Sequence, residues 1–245
     1  MIDETDKVKI NELEQKINIT FTNKKLLKQA LIHRSYINEL KSKDWDHNER
    51  LEYLGDAVLE LIVSEYLYIN FPQYKEGDLT SFRAATVRTT SLADTALELN
   101  LGKYLYLSKG EESTGGRKRP YILANTLESL LGAIYLDKGF QIVKDFVSRI
   151  LLTKVENIIA KRLDVDNKSK LQELSQEQFG ITPNYEMISA IGPDHAKEFI
   201  MSVKIGDLNY GKGRGKNKQE AEENAARDTL GSWKKLIKNN SLKKR

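Results

Sequence analysis

The chain has 245 residues, 40% hydrophobic and 30% charged, with a net charge of +4, no cysteine and three histidines. That is enough for one large domain or two smaller ones; the missing thiols exclude disulfides and cysteine-held zinc, and so few imidazoles leave oxygen to hold any catalytic metal, which points to magnesium or manganese. The acidic start Met1-Ile2-Asp3-Glu4-Thr5-Asp6 is not a secretion signal, and no later run is long enough to span a bilayer, so a cytoplasmic protein without a membrane partner is expected.

Ile10 to Ile19 and Lys24 to Ile37 read as helices, the second with Leu26, Leu27, Ala30, Leu31 and Tyr36 at helical spacing. His33 is read as a structural or surface histidine and given no chemistry. A polar loop, Lys41 to Asp46, leads into a helix that runs on through Tyr68, with Asp46 or Asn48 able to cap its start. At ~100° per residue, Glu49, Glu52 and Asp56 fall within an arc of about 60°. Leu51, Tyr53, Leu54, Ala57, Val58, Leu61 and Ile62 cover most of the remaining circumference. Gly55 sits near the border, where a missing side chain allows close approach. Like charges at these spacings repel, and a divalent cation is the simplest offset. On spacing alone, the solvated face of an amphipathic helix explains the stripe more economically.

Phe71-Pro72 ends that helix. Glu76 to Thr80 is a turn into the next, with Asp78 or Thr80 as cap; Arg83 and Arg88 follow and are read as ion-pairing. Thr89 to Leu99 continues as helix. Gly102 to Ser108 is a connector. Lys109 to Arg119 is a glycine-rich charged loop, either an exposed linker or a phosphate contact. Pro120 fits the first turn of a new helix. Its stretch Ala124 to Leu136 is nearly all apolar, with Asn125 and Glu128 as polar exceptions on one side. A helix beginning at Asn125 would make that pair a capping box, but Pro120 to Leu123 argue for an earlier start. Gly139 to about Lys161 is a further helix, and Lys161 to Lys168 is a polar boundary.

From Val165 onward, fifteen Lys/Arg stand against eleven Asp/Glu, so the first 164 residues balance and the excess of four lies in the last third. A polyanionic partner is expected there. Ser169 to Phe179 reads as a helix, Tyr185 to Ile191, Glu198 to Ile205 and Leu208 to Gly213 as strands, and Asn217 to about Lys234 as a helix. Trp233 onward carries six Lys/Arg and no acid, a basic tail. The run Gly211-Lys212-Gly213-Arg214-Gly215 lacks the spacing of a nucleotide-binding loop, so no nucleotide cofactor is expected.

The string Glu49-Arg50-Leu51-Glu52-Tyr53-Leu54-Gly55-Asp56-Ala57-Val58-Leu59 closely resembles the signature of the ribonuclease III family, and Ala30 to Tyr36 resembles a second element of it. The order α-β-β-β-α, with Gly213 to Ala226, resembles a double-stranded RNA-binding domain over roughly Lys168 to Leu236. The resemblance implies two domains. An all-α endonuclease domain would span 1–161, a linker 162–167, an α+β RNA-binding domain 168–237 and a basic tail 238–245. It implies a homodimer through the signature helix. Glu52, Asn125 and Glu128 would hold Mg2+, with Mn2+ as a substitute, and Asp56 would complete the carboxylate cluster. Glu49 would join the catalytic set or lie at the subunit interface near the RNA.

The implied activity is hydrolysis of duplex RNA to 5′-phosphate and 3′-hydroxyl ends with short 3′ overhangs, on ribosomal RNA precursors and some transfer and messenger RNAs. Most family members have aspartate where this chain has Asn125, which brings a carbonyl oxygen but no charge. The competing expectation is a duplex-RNA-binding protein with weak or silent catalysis. In the second domain, Ser169, Gln172 and Gln176 share a face suited to 2′-hydroxyls of an A-form minor groove, and a loop with His195 would reach the next one. Lys212, Arg214, Lys216 and Lys218 suit the phosphates between them. A second lysine common in the family is replaced by Gln219.

Overall fold

Capping and backbone pairing, more than apolar spacing, decide where the first elements start and stop in the computed structural model, which describes residues 2–39, 45–160, 167–193 and 197–241. Helix α1 (Glu4–Ile17) starts earlier than expected. The Asp3 carboxylate accepts from the Asp6 N–H, and the Asp6 carboxylate accepts from the Asp3 N–H, at 2.8 and 3.1 Å.

The single helix expected over Lys24–Ile37 is two, α2 (Lys24–Ala30) and α3 (Arg34–Ile37). Ile32 forms an isolated parallel bridge with Tyr106, and the Tyr106 N–H donates to the Leu31 carbonyl at 2.9 Å. Backbone groups that a continuous helix would use are committed to that neighbour instead. His33 then caps α3, its Nδ1 accepting from the Ser35 N–H at 3.3 Å. Burial holds its pKa below the ordinary value, which keeps the ring a neutral acceptor.

The chain divides into two compact units, Met1–Asp164 and Val165–Arg245. The centre of the first is the pair α4 (Glu49–Asn70) and α8 (Pro120–Lys138). α4 buries Leu51, Val58, Leu59, Ile62, Val63 and Leu67. It leaves Tyr53, Ala57 and Leu61 exposed, so part of the apolar surface expected to pack is uncovered in the single chain. Asn48 occupies the cap position without capping. Its N–H donates to the Ile32 carbonyl at 2.9 Å and its amide to the Ala30 carbonyl at 3.5 Å. Around the pair lie α5 (Glu76–Val87) and α6 (Thr89–Glu98), separated at Arg88, whose ψ of 151° is extended. α5 begins directly after Lys75, so Asp78 and Thr80 lie inside it and are not caps.

The glycine-rich stretch from Lys109 is structured. α7 (Lys109–Ser113) is capped by the Ser108 hydroxyl, and a 3₁₀ turn follows at Gly116–Lys118. Arg117 pins it by donating to the carbonyls of Gly102 and Leu105 at 2.9 and 3.0 Å and pairing with Glu112 at 2.6 Å. That guanidinium is committed to the fold rather than offered to a phosphate. The helix expected from Gly139 is interrupted at Leu151 into α9 (Phe140–Ile150), a 3₁₀ turn and α10 (Val155–Ala160).

The second unit is α11 (Asn167–Phe179), an antiparallel sheet in the order β1 (Asn184–Ile191), β2 (Glu198–Ile205), β3 (Leu208–Gly215), and α12 (Lys218–Ser241). α12 runs about two turns past the expected end near Lys234, into the segment read as a basic tail. Gly211, Gly213 and Gly215 recur every second residue of β3, so all three face α12. A Cβ on Gly213 would lie 2.1 Å from the Ala225 nitrogen and one on Gly215 2.5 Å from the Ala221 nitrogen. The glycine repeat is thus a packing surface. It lets the alanine face of α12 rest on the sheet over Val203, Ile205 and Met201.

Candidate functional site

Two glycines bring the acids together. Gly55 on α4 and Gly132 on α8 sit where the helices cross, and a Cβ on Gly55 would lie 1.8 Å from the Glu128 carbonyl oxygen. The Ser129 hydroxyl, on α8 beside Glu128, is 3.3 Å from the Asn48 carbonyl at the head of α4. Glu52 and Asp56, one turn apart on α4, therefore face Asn125 and Glu128, one turn apart on α8. α8 starts at Pro120, so Asn125 and Glu128 lie within it and form no capping box. Glu52, Asn125 and Glu128 are half-buried and Asp56 is exposed.

The electrostatics match a crowded set of carboxylates. Burial, then the charges of Asp56 and Glu52, push the Glu128 pKa up to about 8. Burial and Glu49 raise that of Glu52, against a hydrogen bond from Asn125. Burial, with Glu60 behind it, raises Asp56. Among the described residues no cation forms an ion pair with Glu52, Asp56 or Glu128. Three carboxylates and a carboxamide make an all-oxygen donor set that suits a hard divalent cation, whose charge would relieve this repulsion. As the side chains stand, no three described His, Asp or Glu groups converge at ligating distance.

Glu49 stands apart from that set. Its carboxylate is 3.7 Å from the Arg34 guanidinium and 3.6 Å from His47 Nδ1. It lies on the rim of a groove of about 600 Å3 that also includes Glu52, Asn125, Arg34, Glu111 and Tyr121. Sequence reading missed the last three as groove residues. Tyr121 carried a signal, since it precedes Asn125 by one helical turn. Arg34 and Glu111 arrive through long-range folding.

In the second unit, Ser169, Gln172 and Gln176 are exposed on one face of α11. His195 lies outside the described residues. Lys216 and Lys218 are exposed at the start of α12. The Glu220 N–H there donates to Asn217 Oδ1 at 2.8 Å, and the Glu220 carboxylate accepts from the Lys216 N–H at 2.9 Å. These bonds already use part of the helix end expected to attract phosphate. Lys212 and Arg214 alternate with the buried glycines and point away from α12.

Comparison with known proteins gives two matches along the chain. Residues 23–155 match the family described as Ribonuclease-III-like, and residues 167–231 match the double-stranded RNA binding motif. The chain is 45% identical over 221 residues to the Ribonuclease 3 of Dehalococcoides mccartyi strain 195, covering 90% of this chain and 93% of that one. It is 43% identical to that of Campylobacter fetus, covering 93% and 97%, and 45% identical to that of Bacillus cereus strain G9842, covering 91% of each. A solved structure of the nuclease domain of ribonuclease III from Campylobacter jejuni, described for flexibility in a region involved in dimer formation, is similar with a TM-score of 0.55. It is 44% identical and covers 59% of this chain and 96% of that one.

Proposed function

This chain belongs to the ribonuclease III family of double-stranded-RNA endoribonucleases, and from that premise we propose that it cleaves duplex RNA at the acids between α4 and α8. The observation that carries this reading is the crossing of Gly55 and Gly132, which sets Glu52 and Asp56 opposite Asn125 and Glu128. Divalent-metal dependence is general in the family, and Mg2+ is the ion proposed here. Glu52, Asn125 and Glu128 would hold it, with Asp56 completing the charge. The bound ion supplies an acidified water and charge for the leaving oxygen. Glu128, with a pKa of about 8 in the metal-free chain, holds a proton on its carboxyl at neutral pH. Loading the site is therefore coupled to loss of that proton. Glu49, braced by Arg34 and His47, lines the groove beside these residues and is assigned to the approach of the RNA strand.

The products would be 5′-phosphate and 3′-hydroxyl ends with short 3′ overhangs. The substrates would be ribosomal RNA precursors and structured transfer and messenger RNAs in the cytoplasm. Exposed Tyr53, Ala57 and Leu61 on α4 support a homodimer through that helix, with one site for each strand. Ser169, Gln172 and Gln176 on α11, with Lys216 and Lys218, are assigned to the duplex, along with His195.

The test is cleavage of a long perfect RNA duplex with magnesium, with manganese and with EDTA, alongside Glu128→Ala. Discrete metal-dependent products that vanish in the variant are expected. Tight duplex binding without cleavage under either metal would leave the second reading, a duplex-RNA-binding protein, which the uncharged Asn125 favours.

A further inference from the structure

The groove beside the acids is short of positive charge. Among the described residues that line it, Arg34 is the one Lys or Arg, against the carboxylates of Glu49, Glu52 and Glu111. Arg119 pairs with Glu111 but has nothing left to offer. Its guanidinium also donates to the Thr114 carbonyl and hydroxyl at 3.1 and 3.0 Å and to the Tyr121 hydroxyl at 3.2 Å. Arg34 is not committed in this way. Its side chain is 73% exposed and makes no hydrogen bond among the described residues, and its one ion pair there is with Glu49 at 3.7 Å.

The backbone beneath Arg34 is fixed on both sides. The His33 N–H donates to the Tyr106 carbonyl at 3.1 Å, and the Ser108 N–H donates to the Ser35 hydroxyl at 3.1 Å. A swinging guanidinium is thus presented to the groove from a rigid base. An exposed ion pair at such a separation adds little stability, so Arg34 gives up Glu49 at small cost. A phosphodiester brought into the groove meets three carboxylates and this single uncommitted cation. Phosphate also offers the planar guanidinium two parallel hydrogen bonds, which the present contact with Glu49 does not. We propose that Arg34 exchanges Glu49 for a phosphate of the RNA strand in the groove and positions that strand for cleavage. The proposal rests on cleavage at the acids between α4 and α8 and adds a residue that holds the substrate there.

The test is cleavage of an RNA duplex by the full chain with magnesium, comparing wild type, Arg34→Ala and Arg34→Lys. Arg34→Ala should slow cleavage at saturating RNA about ten-fold and leave the urea midpoint unchanged, because the side chain is exposed. It should lower the slope of log(kcat/KM) against log salt by about 1. Arg34→Lys keeps the charge without the fork, so it should recover the slope and only part of the rate. A methylphosphonate, which removes one phosphate charge, is then placed at each position near the cleavage site in turn. At one position it should slow the wild type and add nothing to the loss in Arg34→Ala. Wild-type rate and slope in Arg34→Ala would overturn the proposal, as would a rate loss that tracks a lowered urea midpoint or methylphosphonate effects that add to the variant's at every position. Those results leave the nuclease reading standing, whereas a wild-type chain that cleaves no duplex would remove both.

Discussion

Gly55 and Gly132 meet backbone to backbone: a Cβ on Gly55 would lie 1.8 Å from the Glu128 carbonyl oxygen, and one on Gly132 would lie 2.2 Å from that of Leu51. No flexible side chain is there to turn aside. Gly55→Ala is therefore expected to force α4 and α8 apart at the level of the acids. Overpacking of this kind costs about 1–3 kcal/mol. The same displacement separates Glu52 and Asp56 from Glu128. Urea unfolding should show the lost stability, and cleavage under conditions where the variant is fully folded should still fall more than ten-fold. A variant with wild-type cleavage would mean that the close crossing does not set the site.

Glu128 gives the metal-free protein a pH dependence of definite sign. Its pKa rises from 4.5 to about 8 on folding. Between those values the unfolded chain releases a proton that the fold retains. Stability in EDTA should therefore be highest at the acid end of this window, fall as pH rises through it, and level off above about 8. Glu128→Gln has no such proton. It should flatten that slope and raise the melting temperature near pH 8, while abolishing metal-dependent cleavage. Identical melting curves for variant and wild type across the window would show that Glu128 titrates normally.

The carboxylate stripe on α4 and the polar pair on α8 were legible because helical periodicity is local. What joins them is a tertiary crossing, and its trace in the sequence was Gly55 at the edge of the stripe. The second unit read well for the same reason, since alternation along β2 and the α-β-β-β-α order need only neighbouring residues. The failures have physical causes too. Lys24–Ile37 has helical spacing throughout, but the bridge from Ile32 to Tyr106 takes its backbone pairing elsewhere. Lys109–Arg119 has a loop's composition, yet Arg117 ties it to carbonyls of Gly102 and Leu105. The glycines of β3 lack the spacing of a nucleotide-binding loop, and their use against Ala221 and Ala225 appears when α12 is placed.

Asn125 sets up a trade between metal affinity and metal-free stability. Its amide donates to Glu52 and lowers that carboxylate's pKa against the push of burial and Glu49. Asn125→Asp replaces the donor with another negative charge. In EDTA the variant should be less stable than wild type, by an amount that grows with pH. With magnesium present it should reach half-maximal cleavage at a several-fold lower metal concentration. Titration of initial rate against magnesium checks this, and an unchanged midpoint would remove Asn125 from the metal site.

Gly213 separates the two units experimentally. A Cβ there would lie 2.1 Å from the Ala225 nitrogen and 2.2 Å from the Ala221 carbonyl oxygen, both backbone of α12. Gly213→Ala should lift α12 from the sheet and expose the small core around Leu171, Val203 and Trp233. Trp233 fluorescence and limited proteolysis should report loss of the second unit at temperatures where residues 1–164 stay protected. Duplex affinity should fall with it. Loss of both units together would show that they unfold as one.

Asp6 governs the acid limit of the first unit. It is 3% exposed and bonded by the Lys28 ammonium and by the Tyr106 hydroxyl at 2.7 Å. Burial alone would raise its pKa, but the hydrogen bonds from Lys28 and Tyr106, with the Asp3 backbone, outweigh it and hold the carboxyl below 3.8. A depressed folded pKa stabilises the fold above the unfolded value, and that stability is lost as pH falls through the folded one. The wild-type chain should therefore stay folded at pH 5 and lose this contribution below about pH 4. Asp6→Asn removes the charge and leaves the Lys28 ammonium buried without it. Breaking one side of a buried pair costs about 3–5 kcal/mol. Near neutral pH the variant should show that loss in urea unfolding, and the gap to wild type should close on acidification. A gap that stayed constant from pH 7 to 3 would mean that Asp6 contributes through packing rather than charge.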